Sequence, residues 1–263
     1  MSQSQTLDGQ IHVTVDEGVA VVTIDRPHVR NAMNRVMWIR IREVFEAMGR
    51  DEERVRAVVL QGAGGTFCAG SDIKEIAGLT TEAAEETFRL VEEALAALEQ
   101  VPVPVIGALT GVAAGGGCEL MLAADMRVAA ASARIGMPVA RLGITVSPAF
   151  VRRLVRAVGV SRAGDMLFSG RLLEAEEAYA WGLVHYLVED GEAERKAYEL
   201  ARRVAVLSPA SLRHSKALLR QVAEGWLGAE RSGREEAHRF ISSPDQFWEG
   251  VAAFLDKREP RFD

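Results

Sequence analysis

The sequence predicts an α/β fold, because short apolar strands alternate with amphipathic helices in the first half of the chain and the last third is mostly helical. The chain has 263 residues, 48% of them hydrophobic, which is ample for a large buried core. Its 31 basic and 37 acidic side chains give a net charge of −6. That balance lacks the basic excess typical of nucleic-acid-binding proteins, so we expect small molecules or proteins as partners.

The N-terminal part predicts a β-hairpin followed by a helix. Apolar and polar residues alternate over 11–15, turn-forming residues follow, and 19–24 is apolar and β-branched, which together indicate two antiparallel strands. Apolar residues then recur with helical spacing over 34–48. We therefore expect the first strands to pack against an amphipathic helix.

Two further units repeat the order of strand, glycine-rich loop and helix. In the second unit the predicted elements are a strand at 57–60, a loop at 62–70 and a helix at 81–98. In the third they are a strand at 103–109, a loop at 110–116, a helix at 117–124 and a further strand at 126–129. After Pro148 one strand is predicted at 183–188, and the helices are predicted at 150–158, 162–168, 174–181, 192–206, 211–224 and 247–257.

Several classes of protein are disfavoured by the sequence. Cys68 and Cys118 are too few for a disulfide framework, which suits a reducing cytoplasm, and the five histidines have no metal-ligand spacing. The first ten residues lack the features of a secretory signal. The uncharged stretch 101–118 approaches the length of a membrane span, but its prolines and glycines break any continuous helix. We expect a cytoplasmic protein with no membrane partner and no metal.

Two glycine-rich segments follow buried strands and could bring backbone amides close to a ligand. The small residues of 67–72 let the backbone approach a ligand closely. The glycines of 115–117 lead into a helix whose first N–H groups have no internal partner. Two such amides converging on one carbonyl oxygen would form an oxyanion hole, whereas the alternative is a pair of tight turns.

Glu119 is the candidate acid–base residue. It lies three residues after Gly116, so on a helix its carboxylate and the Gly116 amide share a face. Its neighbours Cys118 and Leu120 are apolar, and burial would raise the pKa of the carboxyl toward the range of a general acid or base. The alternatives are an acid favoured by the helix dipole and one half of a structural ion pair.

The chain resembles the enoyl-CoA hydratase/isomerase (crotonase) family from the hairpin to Lys257. The residues that carry the resemblance are 67–74, 104–106, 115–120, Asp125 and 182–184. It implies a crotonase-like spiral of repeated ββα units with a C-terminal helical trimerisation region. We accordingly divide the chain into a spiral core with the acyl-CoA site at 1–195, and a helical region at 196–263 that forms an oligomer interface and covers the CoA.

The resemblance also implies the substrate and the site. The substrate is an acyl-CoA thioester, with coenzyme A as part of the substrate and no separate cofactor. The amides of Ser71 and Gly116 are expected to hold the thioester carbonyl, with Glu119 as the acid–base group and Ala69 in the substrate-binding loop. The protein is expected to be a homotrimer or a dimer of trimers.

Basic side chains are expected to meet the adenosine-phosphate end of CoA. The matching candidates are Arg30, Lys74 and, from a neighbouring subunit, Lys257. The alternative for each of the three is an ordinary solvated charge on the surface.

Two positions depart from the hydratases of this family. The second glutamate of those enzymes is replaced here by Val139, and a valine can neither bind water nor move a proton. Ser147 occupies a position where some relatives carry a functional aspartate; it could orient a substrate group, or simply cap a helix that begins at Pro148. We therefore expect isomerisation or other one-base chemistry rather than efficient hydration. The alternatives are an acyl-CoA hydrolase or decarboxylase of the same fold, and a non-catalytic CoA-binding subunit.

Overall fold

The computed structural model describes residues 9–50, 54–223, 243–258 and 260–262. The strands in these residues are β1 (Gln10–Asp16), β2 (Val19–Asp25), β3 (Ala57–Gly62), β4 (Val105–Leu109), β5 (Val112–Ala114), β6 (Met126–Ala130), β7 (Arg134–Gly136), β8 (Leu172–Glu174) and β9 (Tyr186–Val188). The α-helices are α1 (Arg35–Arg50), α2 (Ile73–Ile76), α3 (Thr81–Gln100), α4 (Gly116–Ala123), α5 (Pro148–Ser169), α6 (Ala175–Ala180), α7 (Ala193–Ala205), α8 (Pro209–Ala223) and α9 (Pro244–Asp256).

The larger sheet of the described chain has six strands in the order β1-β2-β3-β4-β6-β9. β1 and β2 form the predicted hairpin, in which Ile11 pairs with Ile24, and the remaining strands add in parallel. Parallel strands need covered faces, which explains why β3 and β4 are apolar along almost their whole length. The α/β class predicted from the sequence is confirmed by this arrangement.

A smaller sheet of β5, β7 and β8 lies beside the main one. β5 pairs in parallel with β7, and β7 pairs with β8 in antiparallel fashion. The sequence predicted a plain loop over 110–116, and this was wrong because β5 occupies its middle. Each of these strands has only three residues, which is too short for an alternating pattern to be visible.

Helices cover both faces of the main sheet. α1 and α3 pack together on one face, where α1 buries Trp38, Ile41 and Phe45. On the other face α7 packs Ala193, Ala197, Leu200 and Ala201 against β2, β3, β4 and β6. The boundary predicted at residue 195 therefore falls inside a helix that covers the sheet, and the division into two domains stays a prediction.

The C-terminal helices are joined to the core through polar contacts. The buried Lys216 of α8 donates to Asp125 Oδ2 at 2.6 Å and to the carbonyl oxygen of Val103 at 2.9 Å. The two helices predicted at 150–158 and 162–168 are both present and follow one another in α5, which is interrupted at Gly159, whose φ is 77°. In the residues that the structure describes, no helix combines the length and the apolar character needed to cross a bilayer.

Candidate active site

The two glycine-rich segments meet side by side. The amide of Cys68 donates to the carbonyl oxygen of Val112 at 2.9 Å, and the amide of Ala114 donates back to that of Cys68 at 3.0 Å. α4 then starts so close to this segment that a methyl group on Gly117 would lie 2.0 Å from the Cys68 carbonyl oxygen. A glycine is therefore required here for the two segments to touch.

Ser71 and Gly116 both line the cavity beyond this contact. Neither backbone amide donates a hydrogen bond to any group in the described part of the chain. Gly70 has a φ of +99°, and a methyl group added to it would lie 3.0 Å from the Gly116 nitrogen. Two N–H groups without an acceptor in the described chain therefore belong to residues that line one cavity, and an oxyanion hole needs donors of this kind.

Buried polar groups fix the first segment. Asn31 donates from its amide to the carbonyl oxygens of Ala63 at 2.9 Å and Thr66 at 2.7 Å, and it accepts from the Arg26 amide at 2.8 Å. Arg26 donates to Asp72 Oδ2 at 2.7 Å. Because Asp72 is the residue after Ser71 and also caps α2, these contacts hold the Ser71 amide in place.

Asp72 itself is held in the ionised form. Burial favours its neutral form, but hydrogen bonds from Arg26 and from the amides of Lys74 and Glu75 outweigh that effect and lower the pKa of the carboxyl. The Asp72 carboxylate therefore stays charged and is used in hydrogen bonds within the loop, and this residue is not a candidate to carry a proton in catalysis.

Ser71, Gly116 and Glu119 line one cavity of about 160 Å³. Most of its wall is apolar and comes from α3, from the 3-10 turn at Pro138–Leu142 and from the segment before α5. The side chains in this wall are Ile73, Phe88, Val91, Met137, Pro138, Val139, Leu142, Ile144 and Val146. A pocket of this kind suits an acyl chain, with polar groups gathered at a few points.

Glu119 projects into the cavity from the first turn of α4. Burial is the main cause that raises the pKa of its carboxyl from 4.5 to about 7, and the negative charge of Glu92 raises it further, while Arg153 opposes both. Near neutral pH the group is therefore present in both protonation states. A carboxyl of this kind can take and return a proton in each catalytic cycle.

A second carboxylate, Glu92 of α3, lines the same cavity and was missed by the sequence analysis. The Ser147 hydroxyl donates to Glu92 Oε1, and Arg153 Nη1 lies 3.3 Å from Glu92 Oε2. The available signal was the position of Glu92, four residues after Phe88 and beside the buried Val91. A partly buried carboxylate needs a partner, and Arg153 of α5 is that partner.

A model of the enoyl-CoA hydratase/isomerase family matches residues 14–263. The chain belongs to this family. It is 33% identical to methylglutaconyl-CoA hydratase of Mus musculus over 253 residues, which cover 94% of this chain and 80% of that protein. It is 34% identical to the short-chain-enoyl-CoA hydratase of Clostridium acetobutylicum over 242 residues, which cover 92% of each chain.

A solved structure extends the likeness to the whole fold. The enoyl-CoA hydratase/carnithine racemase of Magnetospirillum magneticum superimposes with a TM-score of 0.87 at 30% identity, covering 100% of this chain and 99% of that one. The predicted crotonase fold is thereby confirmed, and the protein is an enoyl-CoA hydratase-like enzyme of a family that acts on acyl-CoA.

The remaining predicted site residues fall into two groups. Ala69, Val139 and Ser147 line the cavity of this hydratase/isomerase family member, and Ser147 also caps α5, accepting from the Phe150 amide at 3.0 Å. Arg30 and Lys74 are exposed and lie outside the cavity wall.

Arg30 lies next to the segment 67–72 in space, and Lys74 follows that segment along the chain. The carbonyl oxygen of Arg30 accepts a hydrogen bond from the Ala69 amide at 3.0 Å, and Lys74 follows the lining residue Ile73. Lys257 is exposed and follows α9. Because its assigned role involves a neighbouring subunit, that role stays a prediction.

Cys68 and Cys118 are buried free thiols, and burial raises the pKa of both. Thiols of this kind are poor nucleophiles, and the Cys68 thiol instead donates to the carbonyl oxygen of Asn31 at 3.2 Å. Within the described residues, no group of three or more His, Cys, Asp or Glu side chains could hold a metal ion.

Proposed function

We propose that the protein forms a thioester enolate from an enoyl-CoA, with Glu119 moving the proton at the α-carbon. The observation that carries this proposal is the position of Glu119, whose carboxyl has a pKa of about 7 in the cavity that the Ser71 and Gly116 amides also border. A group with a pKa near the working pH is the most effective acid–base catalyst.

The proposed reaction starts from a 3-enoyl thioester whose carbonyl oxygen accepts from the amides of Ser71 and Gly116. The Glu119 carboxylate takes the proton from C2, and the electron pair of the broken C–H bond passes into the carbonyl, which leaves negative charge on the oxygen. The two N–H donors stabilise that charge, and removing one such donor typically costs about 10²- to 10³-fold in rate. Return of a proton to C4 shifts the double bond to C2 and completes the isomerisation.

Val139 favours isomerisation over water addition. It lies in the cavity wall between Pro138 and Leu142, in a stretch that is apolar on the side facing the site. In the two-glutamate arrangement of the family's hydratases, the group at this position holds and activates the water molecule, and a valine offers neither a donor nor an acceptor. The enolate can still be protonated at another carbon without any water.

For the rest of the substrate we propose that Arg30, Lys74 and a neighbouring subunit's copy of Lys257 bind the phosphates of CoA.

The proposed assembly is a homotrimer or a dimer of trimers. The exposed apolar side chains of Leu219 and Val222 on α8 support a covered surface there. Light scattering in solution tests the assembly directly.

Two assays test the proposed reaction. Conversion of 3-hexenoyl-CoA to the conjugated 2-enoyl thioester raises ultraviolet absorbance, whereas hydration of crotonyl-CoA lowers it. We expect the first reaction to exceed the second in kcat/KM. Release of free CoA would instead indicate a hydrolase. Loss of carbon dioxide from a malonyl-type thioester would indicate a decarboxylase, and binding of the ester without turnover would indicate a non-catalytic subunit.

We also propose a reducing compartment, supported by the two free thiols. The mouse relative is named as a mitochondrial protein, so the cytoplasmic location expected from the sequence stays a prediction. Fractionation of the source cells with an antibody to this chain distinguishes the two compartments.

A further inference from the structure

Glu92 has no role in the one-base reaction described above, yet it lies in the wall of the same cavity. It reaches the cavity from α3, on the face that also contributes Phe88 and Val91, and its side chain is 29% exposed. Its charge acts on Glu119, since it is the second cause of the raised pKa of that carboxyl. The cavity therefore holds two carboxyl groups from different helices.

The Glu92 carboxylate is anchored by two donors. Ser147 Oγ donates to Glu92 Oε1. Ser147 Oγ also accepts from the Phe150 amide at 3.0 Å, so the first turn of α5 holds the Ser147 hydroxyl in position. Arg153 Nη1 approaches Oε2 at 3.3 Å. Such anchoring fixes the orientation of a carboxylate, which a proton carrier needs.

A purely structural ion pair does not account for Glu92. Arg153 is 4% exposed, and its short contacts go to Glu99, with Nε to Oε1 at 2.8 Å and Nη2 to Oε2 at 2.9 Å. This bidentate pair already compensates the buried guanidinium. Arg153 makes only the longer contact to Glu92, which also borders the cavity, and the negative charge of Glu92 raises the pKa of Glu119.

We propose that Glu92 is a second catalytic acid–base residue, which exchanges a proton with C4 of the enoyl chain while Glu119 exchanges one with C2. This inference rests on the proposed function, because it assigns the second proton transfer of the same isomerisation. Ser147 is then a positioning residue, since it acts through Glu92. This role also explains how the site can transfer protons at two carbons although Val139 replaces the second glutamate of the family's hydratases.

The step balances without any co-reactant. Starting from the 2-enoyl thioester, the Glu92 carboxylate takes a proton from C4, and the electron pair of that C–H bond forms the C3=C4 double bond. The former C2=C3 pair moves to C1–C2, so the thioester oxygen becomes negative. Protonated Glu119 then delivers its proton to C2. The proton on Glu92 returns to Glu119 directly or through solvent, and the 3-enoyl substrate reacts by the same steps in reverse.

Isomerisation of 3-hexenoyl-CoA in D₂O by Glu92→Gln tests the proposal. The glutamine oxygen can still accept from Ser147, but the side chain cannot carry a proton. We expect the variant to put deuterium at C2 of the recovered substrate, because Glu119 still forms the enolate. Isomerisation should fall by about 10²- to 10⁴-fold, the usual contribution of one acid–base group. Glu92→Asp, which keeps a carboxylate, should recover part of the rate.

Glu93→Gln is the matched control. Glu93 is the next residue of α3, is 58% exposed and pairs with Arg42 outside the cavity wall, so the substitution removes one charge from the same helix. We expect it to behave like the parent protein in both readouts. Retained deuterium exchange at C2 also shows that the Glu92→Gln site is folded.

Two outcomes would overturn the proposal while leaving the proposed function standing. One is isomerisation by Glu92→Gln at the parental rate. The other is a Glu92→Gln variant in which the pH profiles for exchange at C2 and for isomerisation shift together, and both rates return to the parental value at a new optimum pH. That is the behaviour of a residue that only changes the pKa of Glu119. A parent protein that neither exchanges at C2 nor isomerises would instead contradict the proposed function, and the role of Glu92 with it.

Discussion

Glu92 and Glu119 border one cavity from two successive helices, α3 and α4, and the charge of the first raises the pKa of the second. Between them, α3 and α4 thus provide a pair of acids around an apolar space. The pair arises because β4 and β5 connect the two helices along the chain and α3 packs against α4 in the fold.

The raised pKa of Glu119 predicts the pH dependence of enolate formation. Proton removal from C2 needs the carboxylate, so the rate of exchange should increase with pH and reach half its maximum near pH 7. Glu92→Gln should move this midpoint downward, because it removes a neighbouring negative charge. The rates are measured as deuterium incorporation between pH 5 and 9. A midpoint near 4.5, the ordinary value for a glutamate, would contradict the burial of this group.

The same pKa predicts that Glu119 lowers the stability of the folded protein at alkaline pH. The pKa of the Glu119 carboxyl is about 7 in the folded protein, whereas the ordinary value of 4.5 applies to the unfolded chain. Between pH 4.5 and about 7 the folded state therefore binds more protons than the unfolded state. Stability therefore falls as pH rises through that window. Glu119→Gln should be more stable than the parent at pH 8, by roughly 2–3 kcal/mol, with the difference vanishing below pH 4. Urea unfolding at the two pH values measures this, and equal stability at pH 8 would refute it.

Gly117→Ala should disrupt the contact between the two glycine-rich segments. The added methyl group would lie 2.0 Å from the carbonyl oxygen of Cys68, and backbone must move to relieve that overlap. Overpacking of this kind costs about 1–3 kcal/mol or more, and it should also weaken CoA-ester binding. Gly49→Ala is the control, since nothing lies within 4 Å of its added methyl group on α1, and it should raise stability slightly. Chemical unfolding and ligand titration of both variants provide the comparison, and an unperturbed Gly117→Ala protein would show that the segments are not in tight contact.

Val139→Glu should increase hydration of crotonyl-CoA. The side chain lies in the cavity wall, and a carboxylate there could hold a water molecule against the double bond. We expect an increase of at least about tenfold in kcat/KM for hydration, within the usual contribution of one acid–base group. Val139→Gln, similar in size but unable to carry a proton, is the matched control. Equal hydration by the parent and both variants would show that Val139 does not decide between the reactions.

The sequence predicted the features that have a repeating or clustered signal. The hairpin, the helices at 34–48 and 81–98, the glycine-rich segments and Glu119 on the first turn of α4 all follow from local patterns. The three strands of the smaller sheet were not predicted, because their pairing depends on distant parts of the chain rather than on their own residues.

Glu92 illustrates the same limit for the site. Its contacts with Ser147 and Arg153 span 55 and 61 residues, so no spacing along the chain reveals them. The position of this charged residue beside apolar residues of α3 indicated that a partner was needed but not which one. The sequence analysis treated the nearby position, Ser147, as a helix cap or an orienting hydroxyl, and the structure places it in the first role and in contact with a carboxylate.

Solvent deuterium exchange at C2 of an acyl-CoA ester, followed by mass spectrometry, tests the central claim most directly. We predict that the parent protein incorporates deuterium into 3-hexenoyl-CoA at C2 and that Glu119→Gln reduces the rate by about 10²- to 10⁴-fold, with CoA-ester binding largely retained. Exchange at the parental rate in Glu119→Gln, or none in the parent protein across a panel of acyl-CoA esters, would contradict it.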